Sequence, residues 1–254
     1  LEPTPAQAEA TSRHLADQLL QANRMLRATV GERPELSGMG TTFTGFMTVG
    51  DRLSLAHIGD SRLYLLRDGA FTQTTRDHTF VQHLVDSGRI TEDEAKIHPR
   101  RSVLMRVLGD VDSSPKIDTE VLTTQVGDLW LLCSDGLCGY VEDEDVEKIL
   151  KRRTSLQSAV DQLIDKALSH GAPDNVTVVL VETVAAPLPT AERPGPRFAG
   201  SAATEPAAEE TSTGRARLLA RRRVIRRAQP AAETHFEPRI DESLAQLIAE
   251  TKRR

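Results

Sequence analysis

The chain is expected to fold as an α+β protein, on three observations. Apolar, β-rich runs follow one another across two-residue turns such as Gly50-Asp51 and Asp68-Gly69, which is the pattern of an antiparallel meander. Helical patterns are grouped in blocks before, between and after those runs. The gaps between successive early strands are too short for the crossover helix that a parallel sheet requires.

Taken in order, Thr4-Pro5-Ala6-Gln7 reads as a capping box with Pro at the first helical position. Leu15, Leu19, Leu26 and Val30 follow at helical spacing, predicting one long helix that ends before Gly31 and Pro34. Strands are predicted at 41–49, 52–58, 62–66 and 70–74. A short helix at 78–87 is closed by Gly88, and Thr91-Glu92-Asp93-Glu94 is the capped start of another. A polar, Arg-rich stretch then runs to Asp110. Beyond it come strands at 117–122 and 129–133, helices at 143–152 and 156–169, and a last strand at 176–182.

With 254 residues, 39% hydrophobic and 27% charged, the chain suits one full-sized core and hardly two. The expected division is a domain at 1–184 and a tail at 185–254, where composition turns to Ala, Pro, Glu, Thr and Arg. The tail is expected to be disordered apart from a short C-terminal helix along Ile240, Leu244, Leu247 and Ile248. Its seven arginines between Arg215 and Arg227 suit an anionic surface or a partner protein. Residues 186–254 carry 13 Lys/Arg against 9 Asp/Glu, so they account for +4 and the rest for −9 of the total −5. An acidic domain is a poor nucleic-acid binder. The two cysteines, Cys133 and Cys138, form neither a disulfide framework nor a zinc pattern, and a reduced cytoplasmic setting is expected. No run approaches the about 18 apolar residues of a membrane helix. Leu1 in place of Met suggests a processed or truncated start.

Three acidic turns carry the chemistry: His57-Ile58-Gly59-Asp60-Ser61-Arg62, Cys133-Ser134-Asp135-Gly136, and Gly171-Ala172-Pro173-Asp174-Asn175-Val176-Thr177. Each sets an Asp beside a strand end, where a rigid sheet can hold a carboxylate in place. Carboxylates converging from distant parts of a chain suit Mg²⁺ or Mn²⁺, and paired ions of that kind suit phosphate ester hydrolysis. The plainer alternatives are local: Asp135 capping its own turn, Asp174 in an Asx-turn, and Asp60 paired with Arg62. His57 alternates in phase with Leu53 and Leu55 and reads as a packed histidine, His98 as a loop brace, and Cys133 as an inert buried thiol.

In this order and spacing, the turns resemble the metal-dependent Ser/Thr protein phosphatases, the PPM family of type 2C. Gly38-Met39-Gly40-Thr41-Thr42 is similar to that family's strand entry, and the segment from Asp77 to Ser102 to its bacterial flap. The resemblance covers residues 5–184. It implies an antiparallel β-sandwich flanked by helices on both outer faces. It further implies two ions, Mn²⁺ or Mg²⁺, at Asp135 and Asp174, and a third, weaker one at Asp60 with Ser102 near it in the flap. Gly136 and Asn175 would support the loops, and Thr41 and Thr42 the inner strand. The implied reaction is hydrolysis of phosphoserine and phosphothreonine in proteins by a metal-activated water, with Ser/Thr kinases or their substrates as partners. The family's opening Asp-Gly-Met-Gly-Gly turn and an upstream phosphate-binding Arg have no counterpart here, so the fold is expected to be N-terminally incomplete. Without the bridging carboxylate, weak metal binding and little turnover are expected of the chain as given. The rival reading is a pseudophosphatase that binds a phosphoprotein or kinase without turnover.

Overall fold

The computed structural model describes residues 4–109, 114–171 and 174–185. The arginine run 215–227 and the Ile240 to Ile248 stripe lie outside the described residues, as do Asp110, Ala172 and Pro173.

Helix α1 spans Pro5–Glu32 and starts at the expected capping box. Thr4 Oγ1 accepts the Gln7 N–H while the Gln7 side chain accepts the Thr4 N–H at 2.7 Å. The helix runs through Gly31, two residues beyond its predicted end. One glycine costs a helix about 1 kcal/mol, whereas Pro34 drives the preceding residue out of helical geometry, and Arg33 sits at φ −130, ψ 83. One sheet is built from β1 (Phe43–Val49), β2 (Arg52–Ile58) and β5 (Asp118–Thr123) in the order β1-β2-β5. The other contains β3 (Arg62–Arg67), β4 (Ala70–Gln73), β6 (Leu129–Cys133) and β7 (Val178–Glu182) in the order β4-β3-β6-β7. Every pairing is antiparallel. β1 starts two residues later than predicted because Thr41 bridges to Leu108 instead of continuing the ladder. Helix α2 (Phe80–Asp86) is shorter than expected because Thr79 caps it, accepting the Gln82 N–H, so His78 stays outside. The remaining helices are α3 (Glu92–Ile97), α4 (Asp135–Cys138), α5 (Asp143–Lys151) and α6 (Leu156–Ser169).

The sheets stack face to face over Leu53, Leu55, Leu63 and Trp130. Because strand side chains alternate, β3 sends Leu63 into this layer and Tyr64 and Leu66 to the opposite face. There Tyr64, Leu66, Leu129 and Leu131 lie under Leu137 of α4, Val146 and Leu150 of α5, and Ala159 and Leu163 of α6. The outer face of the other sheet meets α1 through Leu19, Ala56 and Ile58. Each large apolar side chain so buried contributes about 2 kcal/mol, and the sandwich with helices on both outer faces is the arrangement that covers every apolar face. Two buried serines stitch α1 to β2: Ser12 Oγ donates to the Leu55 carbonyl at 3.1 Å, and Ser54 Oγ to the Ala8 carbonyl at 2.8 Å.

Candidate metal site

The Asp135 turn and the Asp174 loop are bolted together by Ser134. Its hydroxyl donates to the Asn175 carbonyl (3.2 Å) and accepts the Thr177 N–H (3.0 Å), while its own N–H reaches the Thr177 carbonyl (3.1 Å). The chain then enters α4, a single helical turn where a simple reverse turn was expected, with Ser134 at its N-cap and Asp135 first in the helix. Gly136 serves by close approach: a Cβ there would stand 2.3 Å from the Asn175 carbonyl oxygen. Asn175 braces this corner through its backbone, its N–H donating to Asp174 Oδ1 at 2.7 Å. That bond is local but engages the next residue's N–H, so it is not the Asx-turn of the plainer reading, which would engage the N–H two residues on.

Asp60 follows Gly59, whose φ of +115 and contact with Thr42 exclude a larger residue; a Cβ would lie 2.3 Å from Thr42 Cγ2. Thr42 and Ser61 hydroxyls share a hydrogen bond at 3.1 Å, and the Thr44 hydroxyl donates to the Ser61 carbonyl at 2.8 Å. Arg62 does not pair with Asp60. It grips Asp77 with Nε and Nη2 at 2.9 and 2.8 Å and donates to Tyr64 Oη, which in turn donates to Asp143. The guanidinium is therefore committed to structure.

Asp60 is left among like charges. Burial, then Asp135, then Asp77 push its carboxyl up to about 6, and Arg62 offsets only a small part. Asp135 lies at the rim with solvent on one side, yet the protein around it, and next Asp174, push it upward as well. Asp60 thus senses Asp135, and Asp135 senses Asp174. Among the described residues these neighbours come together as pairs, and no three His, Cys, Asp or Glu side chains close around one point. Ser102 is exposed in the turn ahead of Val103, and no hydrogen bond ties it to the three carboxylates among the described residues. An all-oxygen donor set with mutual repulsion and no committed cation fits a hard divalent ion.

Behind the Asp60 turn lies a histidine pair that periodicity did not reveal. His57 is buried as expected; it meets Thr44 Oγ1 at 2.9 Å and the Arg76 carbonyl at 3.0 Å. Its ring lies 4.7 Å from that of His78, which binds both the Gly59 backbone and Asp118. Burial holds the His78 imidazole down at about 4, against the pull of Asp118. His98 braces its loop by accepting the Arg100 N–H at 3.0 Å. Cys133 is buried in β6.

The profile of the family described as Protein phosphatase 2C matches residues 6–176. The chain belongs to that family. It is similar to the serine/threonine protein phosphatase PstP of Mycobacterium tuberculosis, 42% identical over 221 residues, covering 85% of this chain and 42% of the relative. It is also similar to the serine/threonine phosphatase stp of Listeria welshimeri, 38% identical over 175 residues and covering 69% of each. The crystal structure of the catalytic domain of PstP in complex with two manganese ions matches with a TM-score of 0.57 at 47% identity, over 64% of this chain and 66% of that one. The chain spans about two fifths of the length of the PstP relative, that is 42%. The sandwich expected from the acidic turns is the fold of this family.

Proposed function

We propose that this phosphatase 2C family member hydrolyses phosphoserine and phosphothreonine esters in proteins, using Mn²⁺ or Mg²⁺ held at Asp135, Asp174 and Asp60. One observation carries the reading: aspartates from three distant turns neighbour one another in pairs, Asp60 with Asp135 and Asp135 with Asp174, and form no ion pair among the described residues, while Asp77 near Asp60 takes a full guanidinium. Divalent ions in such a setting acidify water and neutralise charge developing on a transferring phosphoryl group. The chain's own part is placement. Ser134 and the Asn175 carbonyl hold Asp135 and Asp174 side by side, and Gly59 seats Asp60 against Thr42. The segment from Asp77 to Ser102 governs access of the phosphorylated protein, and Ser/Thr kinases or their substrates are the expected partners. Two free cysteines suit a reducing, cytoplasmic setting.

The test is Mn²⁺-dependent release of phosphate from p-nitrophenyl phosphate and a phosphothreonine peptide, by the protein with whatever upstream segment its reading frame encodes. Asp135→Asn and Asp174→Asn keep the shape and remove the charge, and each is expected to lower turnover at least about 100-fold. Activity within about threefold of the parent would contradict the ligand assignment. Tight phosphopeptide binding with no phosphate release by the parent would favour the pseudophosphatase.

A further inference from the structure

His78 holds the Gly59 side of the Asp60 turn, while Thr42 and Thr44 hold the Ser61 side. The Nδ1 of His78 accepts the Gly59 N–H at 3.1 Å, and its own N–H donates to the Gly59 carbonyl at 2.8 Å. Both polar backbone groups of Gly59 therefore end on one residue. An amide N–H can only donate, so Nδ1 carries a lone pair and the ring proton sits on Nε2. That proton points at Asp118 Oδ2, 3.0 Å away, and the other oxygen of Asp118 takes Arg106 Nη1 at 2.8 Å. The tautomer is thus set by partners on both sides. His78 also reaches forward, its carbonyl accepting the Met105 N–H at 2.7 Å while the neighbouring Phe80 N–H donates to Val103. The strand-like contact of Thr79 with Leu104 lies between these two bonds. One residue thereby joins the Asp60 turn to the return leg of the segment that carries Ser102.

Packing alone does not call for this arrangement. His78 is almost wholly buried, and a Leu or Phe would fill its volume without needing two polar partners. The bonded ring instead fixes where Gly59 stands, and Gly59 has no side chain with which to fix itself.

We propose that His78 is the positioning residue for the divalent ion at Asp60, holding the Gly59-Asp60 turn through Nδ1 and being held by Asp118 through Nε2–H. This rests on the reading of Asp60 as a ligand.

The experiment is Mn²⁺ binding by the protein as encoded, followed by electron paramagnetic resonance of the free ion, with thermal unfolding of every variant alongside. The Asp60-dependent ion is defined as the one lost in Asp60→Asn. His78→Gln retains a polar group near Nε2 but gives Gly59 no acceptor, whereas His78→Asn places an oxygen near Nδ1. His78→Gln is expected to weaken the Asp60-dependent ion about tenfold, and His78→Asn to recover it to within about threefold. Asp118→Ala leaves the ring unanchored at a partly exposed site and is expected to weaken the same ion about threefold. The Asp135-dependent binding should be unchanged in all three. If Asp60→Asn and Asp135→Asn leave Mn²⁺ binding intact, the metal reading fails and this proposal with it. If those two variants lose their ions while His78→Gln and Asp118→Ala bind Mn²⁺ as the parent does, only the role of His78 is refuted. Equal loss of stability in His78→Gln and His78→Asn, with no difference in Mn²⁺ affinity, would likewise make the residue merely structural.

Discussion

Two sets of aspartates stand near the strand ends of this sandwich and are treated in opposite ways. Asp77 and Asp128 each receive two N–H bonds from a single arginine, Arg62 at 2.8 and 2.9 Å and Arg67 at 2.6 and 2.7 Å. Asp60 feels Asp135, and Asp135 feels Asp174, and none of the three is in an ion pair among the described residues. Burial would push the Asp128 carboxyl up, but Arg67 and the Gln125 N–H hold it below the usual range; Asp60 moves the other way, to about 6. The residue type is the same, but Asp128 is buried with its arginine whereas Asp135 and Asp174 are exposed and Asp60 half-buried, so the two sets differ in burial as well as in having a cation. A fold that has arginines available and leaves these carboxylates without them keeps a destabilising charge at the edge where a metal would sit.

The largest effect expected from this contrast is at Arg62. Arg62→Met would leave Asp77, which is mostly buried, without its cation and with the Gln73 amide as its side-chain donor, and would leave the Tyr64 hydroxyl with Asp143 alone. Urea denaturation should show a loss of about 3 kcal/mol. A loss below about 1 kcal/mol would put Asp77 in the same class as Asp60 and break the comparison.

Next comes pH. The folded Asp60 carboxyl titrates above its ordinary value of 3.8, so its favourable contribution is fully present below that value and is lost as pH rises through about 6. Metal-free parent and Asp60→Asn should therefore be similar near pH 4. Above pH 6 the variant should be the more stable by about 1–2 kcal/mol, allowing for partial solvent contact. His78 acts in the opposite sense: its folded value is depressed, so its contribution is present above its ordinary 6.5 and fades as pH falls to about 4. Both proteins carry His78, so its effect cancels in their difference. Urea midpoints across this range that fail to diverge would mean that Asp60 is already compensated.

The smallest effect belongs to the exposed bridge between α3 and the cap of α5. Lys96 Nζ lies 3.0 Å from Glu142, and both side chains are mostly in solvent. Lys96→Ala should change stability by less than about 0.5 kcal/mol, which calibrates a solvated pair against the buried Arg62–Asp77 one.

Local patterns in the sequence were enough to find the elements. The strand Leu129–Cys133 and the helix Leu156–Ser169 lie where the sequence put them: the strand is buried on both faces and reads as a continuous apolar run, whereas the helix buries one face and leaves a helical repeat. Gly31 misled because its cost to a helix is smaller than the stabilisation that α1 draws from packing on β2. At the site, the three aspartates and Gly136 were legible as turn chemistry beside strands. Nothing local revealed that Arg62 would choose Asp77, or that Arg67 would reach Asp128, because those pairings span 15 and 61 residues. His78 was hidden for the same reason. Its partners Gly59 and Asp118 lie 19 and 40 residues away, and no short-range periodicity records a meeting that only the stacked sheets create.

Thermal unfolding of the parent and Asp135→Asn, each with and without Mn²⁺, tests most directly whether this acidic edge is kept for a cation. Without metal, Asp135→Asn should unfold at the parent's temperature or slightly above it, since a solvent-screened repulsion from Asp174 is relieved. With Mn²⁺ at about 100 times its dissociation constant, the parent should gain about 2.7 kcal/mol and the variant much less. A variant that unfolds well below the parent without metal, or one that keeps the full Mn²⁺ gain, would show that Asp135 is a structural aspartate like Asp77.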